Sequence, residues 1–149
     1  MELNATRIVP APADEVAEFF FDASNNPLWQ SGMRQCVWET PPPIEVGSIY
    51  RQEASFVGRP IVSRFEVTAI SPNRSMTIET IESTFPIRVT RQVEPIDEAT
   101  CRVTASISGG PGGLFRLFAP LTRRLAQRSV DADYDRLVDR FNEQPSAEA

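Results

Sequence analysis

The stretch Gly112–Asn142, GGLFRLFAPLTRRLAQRSVDADYDRLVDRFN, decides how the rest of the chain must be arranged. Its apolar residues recur at spacings of three and four, the period that places side chains on one face of a helix. There are two such sets: Leu114, Leu117, Phe118, Leu121 and Leu125, then Val130, Tyr134, Leu137, Val138 and Phe141. At about 100° per residue the two sets point roughly half a turn apart, which one straight surface helix does not need. Pro120 falls within the first set, and proline breaks or kinks a helix because it lacks the amide donor and clashes with the preceding turn. The expectation is a short apolar turn before Pro120 and a main helix from Leu121 to Asn142. Its second half should lie on a sheet, and its first half should face a cavity, a lid or a partner. Gly109-Gly110-Pro111-Gly112-Gly113 supplies a flexible hinge ahead of it.

Upstream of the hinge, from Gly32 onward, the pattern changes to period two, the mark of strands. Six are predicted: Arg34 to Thr40, Ser48 to Val57, Ile61 to Ser71, Ser75 to Thr84, Ile87 to Pro95 and Ala99 to Ser108. Pro41-Pro42-Pro43 with Gly47, then Gly58-Arg59-Pro60, Ser71-Pro72-Asn73 and Asp97-Glu98 carry turn chemistry at the joints. The connections are short, so successive strands should pair antiparallel. A seventh strand, Glu2 to Val9, precedes a helix from Pro12 to Phe21 whose acidic first turn suits a helix N-terminus. Val16, Phe19 and Phe20 form its buried stripe. Asn25-Asn26-Pro27 breaks that helix, and Pro27 can start a second short one carrying Leu28 and Trp29. Seven strands twist and curl, and a curled sheet has a concave apolar face that needs a cover. The terminal helix is long enough to provide it. The expected class is therefore α+β, with one domain over residues 1–143 and a disordered tail over 144–149.

Composition narrows the function. The chain has 149 residues, 41% hydrophobic and 23% charged, ordinary for a globular protein with a real core. No apolar run approaches the roughly 20 residues of a membrane-spanning helix, and the N-terminus lacks the basic start and apolar core of a secretory signal. A cytoplasmic location is the expectation. Net charge is −5 with no basic block, which argues against nucleic acid as a partner. All 15 basic residues are arginine, which a GC-rich coding bias accounts for. There is no histidine, so the commonest general acid–base and the commonest metal ligand are missing. A Ser–His–Asp or Cys–His site cannot form within one chain. Cys36 and Cys101 are too few and too far apart for a zinc motif, and each sits in a strand-like apolar setting. No metal, cofactor or disulfide is expected. The glycine-rich hinge lacks the Lys-Ser/Thr of a phosphate loop.

Layout and residues together resemble the START-like (SRPBCC) superfamily, in its polyketide cyclase/dehydratase branch. The likeness runs from Asn4 to Phe141. It is carried by Pro12-Ala13-Asp14-Glu15-Val16, Phe19, Asp22, Asn26-Pro27-Leu28-Trp29, Gly47, Arg64-Phe65-Glu66-Val67, Thr100-Cys101-Arg102-Val103-Thr104 and Asp133-Tyr134-Asp135-Arg136-Leu137. The resemblance implies a helix-grip fold: a seven-stranded curved antiparallel sheet wrapped around a long C-terminal helix, with two short helices between the first and second strands. It also implies a hydrophobic ligand, lipid-like or polycyclic, held between sheet and helix.

Strand phase nominates the residues that face that space. The inward sets are Tyr50, Gln52, Ala54 and Phe56; Phe65, Val67 and Ala69; Met76, Ile78, Thr80 and Glu82; Ile87, Val89, Arg91 and Val93; and Cys101, Val103, Ala105 and Ile107. Tyr50, Phe65, Val67, Ile78, Val89, Arg91 and Val103, with Leu121 and Leu125 from the helix, are the candidate ligand-binding residues. Glu82 and Arg91 are charges on an apolar face, which is costly unless they are paired. Two readings stand for them. Either both lie near strand ends open to water, or, on neighbouring strands, they pair across the sheet or meet a ligand's polar end, with Glu82 as acid–base and Arg91 stabilising an enolate in a cyclase/dehydratase-type enzyme. Tyr50 is either a core residue with its hydroxyl at the rim or a polar anchor inside the pocket. Trp29 reads as core, and Trp38 as rim or core. Leu114, Phe115, Leu117 and Phe118 either cover the cavity or form a gate, a homodimer patch, a protein-interaction surface or a membrane-touching edge.

Overall fold

The computed structural model describes residues 2–56, 58–83, 86–109 and 119–143, without the side chains of residues 56, 119–122 and 143. In chain order the elements are β1 (Glu2–Val9), α1 (Ala13–Phe20), a 3-10 helix (Ala23–Leu28), β2 (Met33–Trp38), β3 (Ile49–Phe56), β4 (Arg59–Ser71), β5 (Ser75–Glu82), β6 (Ile87–Pro95), β7 (Cys101–Gly109) and α2 (Ala119–Glu143). The apolar turn expected before Pro120, the patch Leu114, Phe115, Leu117 and Phe118, and the tail 144–149 lie outside the described residues.

The seven strands form one antiparallel sheet in the order β1-β7-β6-β5-β4-β3-β2. From β2 to β7 each strand pairs with its sequence neighbour, as short turns require. β1 does not pair with β2. It pairs with β7 over its whole length, Glu2 opposite Ser108 through Val9 opposite Cys101. α1 and the 3-10 helix therefore carry the chain from one edge of the curled sheet to the other, and the helix-grip architecture results.

The short helices differ from the sequence expectation. α1 ends at Phe20, and the 3-10 helix begins before Pro27 instead of at it. Its start is set by Asp22, whose Oδ1 accepts from Ser24 N at 3.0 Å, a backbone donor that a helix start leaves open, and also from Ser24 Oγ at 2.6 Å. Gly32 then turns the chain into β2 at φ +76°, where a Cβ would stand 3.2 Å from Ser55 O.

α2 is held by two faces, one against the core and one along β1. Tyr134, Leu137 and Phe141 are buried, with Val130 and Val138 packed beside them. The ring contacts of this half are with α1 and the segment after it, not with the sheet: Phe141 meets Phe19 at 5.7 Å, and Tyr134 meets Phe20 at 5.9 Å and Trp29 at 5.0 Å. The second face lies along β1. Gln127 Nε2 donates to Asn4 O at 2.7 Å while its Oε1 accepts from Asn4 N at 3.3 Å, so a side-chain amide stands in for the missing strand neighbour. Arg7 Nε donates to Asp135 Oδ1 at 2.8 Å, and Arg7 Nη2 lies 3.6 Å from Asp131 Oδ1.

Candidate functional site

A cavity of about 140 Å³ lies between sheet and helix. Its walls come from four directions: Asn26, Gln30 and Met33 from the 3-10 helix and its exit; Tyr50, Gln52, Phe65 and Ile78 from β3, β4 and β5; Ile87, Val89, Arg91 and Ile107 from β6 and β7; and Val130, Asp133 and Tyr134 from α2. Period two on the strands and the three-to-four spacing on the helix bring these side chains to one place. A larger depression, about 340 Å³, crosses β1, β7 and β6 at Glu2, Asn4, Arg88, Thr90, Ser106 and Ser108. Those residues have the polar phase of their strands, so that depression suits water more than an apolar guest.

Of the candidate ligand-binding residues, Tyr50, Phe65, Ile78, Val89 and Arg91 line the cavity. Val67 and Val103 do not; both are fully buried in the core. Val103 shares the Cys101–Val93 end of the concave face with α1, whose Val16, Ala17 and Phe20 belong to the same core cluster. Helix packing fills that end, and the space remains at the other. Leu125 is 58% exposed, so it does not reach the cavity. It belongs to the set half a turn away from Tyr134 and Leu137, and once those two face inward Leu125 must face out. The side chain of Leu121 is outside the described residues.

Glu82 also departs from its expected place. Phe65 pairs with Thr80 but Arg64 pairs with Glu82, leaving Ile81 as an extra residue in β5. A bulge of this kind shifts the phase of everything beyond it. Glu82 therefore moves to the outer face, 69% exposed and 3.5 Å from Arg64 Nη1. Arg64 in turn holds Glu39 at 2.6 Å, and this contact keeps the Glu39 carboxyl below the usual range. Ser83 takes over the inner phase and shares a 2.7 Å hydrogen bond with buried Ser63. A second shift, between Val67 and Ala69, leaves Thr68 as the extra residue in β4. It sends Ala69 outward and brings Ile70 against the core. Period-two reading cannot see either bulge, because each adds a residue without changing the composition of the strand.

Arg91 is the charge that stays inside, 4% exposed in the middle of β6 and not at a strand end. Its Nη1 donates to Phe20 O at 2.7 Å and to Asn26 Oδ1 at 3.1 Å. Phe20 closes α1, so the guanidinium caps a helix C-terminus, where the backbone dipole favours a cation. The guanidinium carbon stands 5.0 Å from the centre of the Phe20 ring and 5.2 Å from that of Trp29. No carboxylate among the described residues lies within the 4.0 Å of an ion pair with it. Arg91 Nε and Asn26 Nδ2 are buried and have no hydrogen-bond partner among the described residues.

The neighbouring hydroxyls are held neutral. Burial pushes the Tyr134 hydroxyl up to about 12 and that of Tyr50 further still. Tyr50 stacks on Phe65 at 5.1 Å and touches Trp38 edge-on at 5.2 Å. Trp38 sits between rim and core, its Nε1 donating to Asp22 Oδ1 at 2.8 Å. Asp133 is the one carboxylate among the described lining residues. It accepts from Ser31 N at 3.0 Å and pairs with Arg136, while burial raises its pKa against those contacts. Cys36 and Cys101 are free thiols, and burial lifts each to about 11. Asn26, Asp133 and Tyr134 are lining residues that the sequence reading did not nominate. Asn26 reads as a helix breaker before Pro27 and Tyr134 as part of the packing stripe, so only their three-dimensional meeting with Arg91 gives them a place here.

The family model described as "Polyketide cyclase / dehydrase and lipid transport" matches residues 1–142. No curated protein matches the chain. Among solved structures, a START superfamily protein from Mycobacterium smegmatis superposes with a TM-score of 0.79 at 15% identity, over 95% of this chain and 97% of that one. TTHA0849 from Thermus thermophilus does so with a TM-score of 0.76 at 18% identity, over 95% and 97%. The Zhui aromatase/cyclase from Streptomyces sp. R1128 gives 0.73 at 14% identity, over 100% and 98%. At these identities the likeness is one of fold.

Proposed function

The chain belongs to the polyketide cyclase/dehydrase and lipid transport family, and from that premise we propose that it binds a hydrophobic small molecule between its sheet and its C-terminal helix. The observation that carries this reading is the cavity itself: Phe65, Ile78, Ile87, Val89, Ile107 and Val130 present apolar walls around Arg91. A few convergent polar groups in an apolar enclosure is the usual composition of a ligand site. Its volume of about 140 Å³ is close to that of an engineered cavity of about 150 Å³ that holds benzene. The enclosed portion of the guest is therefore about one ring or a short chain, and the rest of a longer lipid-like or polycyclic molecule would extend beyond the described walls.

Binding is favoured over acid–base catalysis by the placement of the carboxylates. Glu82 lies on the outer face with Arg64, and Asp133 is tied to Ser31 and Arg136. Native mass spectrometry of protein purified from its own host tests the proposal. The expected spectrum contains a complex with a co-purified small molecule, and Val89→Phe, which fills the cavity, should lose it. A ligand-free wild type, or an equal load on the Val89→Phe variant, would refute the reading.

A further inference from the structure

We propose that the guest is an organic carboxylate whose head group docks against Arg91 and Asn26, with a one-ring or short-chain apolar body in the cavity; this rests on the cavity being a ligand site. Nearly all buried polar groups in folded proteins are paired, so clustered exceptions need a reason. Among the described residues the exceptions are four donors, Asn26 Nδ2, Trp29 Nε1, Arg91 Nε and Arg140 Nε, and two of these, Arg91 Nε and Asn26 Nδ2, belong to hydrogen-bonded residues that both line the cavity. They are linked: Arg91 Nη1 takes the amide oxygen of Asn26 at 3.1 Å, which commits that oxygen and leaves the amide nitrogen in need of an acceptor. The Cys36 thiol beside Asn26 is only a weak one. A guanidinium has five N–H donors and no acceptor. The Phe20 and Asn26 oxygens occupy Nη1, and the Tyr134 hydroxyl stands close by, which still leaves Nε without a partner.

Charge points the same way. A buried cation without a counter-ion is costly. The C-terminus of α1 offsets only about half a charge. Asp133, which could have supplied the rest from within the wall, is engaged by Ser31 and Arg136 instead. A ligand carboxylate brings a full negative charge and acceptor sites on two oxygens in the planar geometry that suits a guanidinium. An alcohol of the same shape brings neither. The neutral hydroxyls of Tyr50 and Tyr134 belong to residues lining the same cavity and add donors without adding charge.

The test is calorimetric titration of the full chain with matched pairs: 3-phenylpropanoate against 3-phenylpropan-1-ol, and octanoate against octan-1-ol. The acid of at least one pair should bind about tenfold or more tighter than its alcohol, the least expected of a hydrogen bond to a charged group. Arg91→Met should abolish that preference and leave alcohol affinity within about threefold. Asn26→Asp provides a second variant that retains the buried arginine. It sets a carboxylate against Nη1 and should weaken the acid about tenfold while sparing the alcohol. Equal affinity of acid and alcohol for the wild type would overturn the head-group inference and leave the cavity reading standing. An acid preference that survives both substitutions would also overturn it. Binding of neither member of either pair, with no co-purified ligand, would remove both readings together.

Discussion

Arg91→Met separates a residue kept for architecture from one kept for a ligand. The substitution loses two charge-assisted hydrogen bonds, to Phe20 O and Asn26 Oδ1, at roughly 1.5–3 kcal/mol each. It also loses two ring contacts, with Phe20 and Trp29, at about 0.5–2 kcal/mol each. Against this, the fold no longer has to strip water from a guanidinium, a relief of several kcal/mol. A buried methionine returns about 1.5–3 kcal/mol of apolar burial. What decides the balance is that no described carboxylate pairs with Arg91, so its removal strands no buried charge, the feature that makes breaking an ion pair expensive. The opposing terms nearly cancel, and the ligand-free variant should unfold in urea within about 2 kcal/mol of wild type, with an unchanged slope. A loss of about 4 kcal/mol or more would refute the reasoning. It would mean that the guanidinium holds α1 against β6 as a structural rivet and owes nothing to a guest.

Three further outcomes follow from the same geometry. Leu137→Ala, at a fully buried helix position, should cost about 2–5 kcal/mol in urea unfolding, and a cost below about 1 kcal/mol would mean that α2 is not docked through this face. Glu82→Gln should leave titrations of the phenylpropanoate pair unchanged, because Glu82 lies outside with Arg64; altered affinity would return it to the cavity. Cys36 and Cys101 are raised from 9.0 to about 11 and Tyr134 from 10.0 to about 12, all by burial. Each shift favours the protonated form in the fold, so the stability it contributes is complete below the unfolded value and is lost as pH rises through the folded one. Urea midpoints should therefore hold steady up to about pH 9 and then decline toward pH 11, and Cys36→Ala/Cys101→Ala should flatten the early part of that decline.

Local pattern determined the parts of this protein. Period two located the strands from Met33 to Gly109 to within a few residues, and the three-to-four spacing of Val130, Tyr134, Leu137 and Phe141 identified the helix face that becomes buried. Both are properties of neighbouring residues, and the physics that sets them acts over one turn or one pleat. The half-turn offset between that face and the set containing Leu125 was equally legible, and the exposure of Leu125 is its consequence. Tertiary structure decided the rest. The pairing of β1 with β7 joins the two ends of the strand sequence, a contact of high sequence separation that no local signal encodes. The bulge at Ile81 rotated Glu82 out of the cavity while Arg91, on an uninterrupted strand, stayed in. Asn26, Arg91 and Tyr134 come from a 3-10 helix, a strand and an α-helix, and each reads as unremarkable alone. They form a site only because the sheet curls far enough to bring the three around one cavity, and curl is a property of seven strands together, not of any one of them.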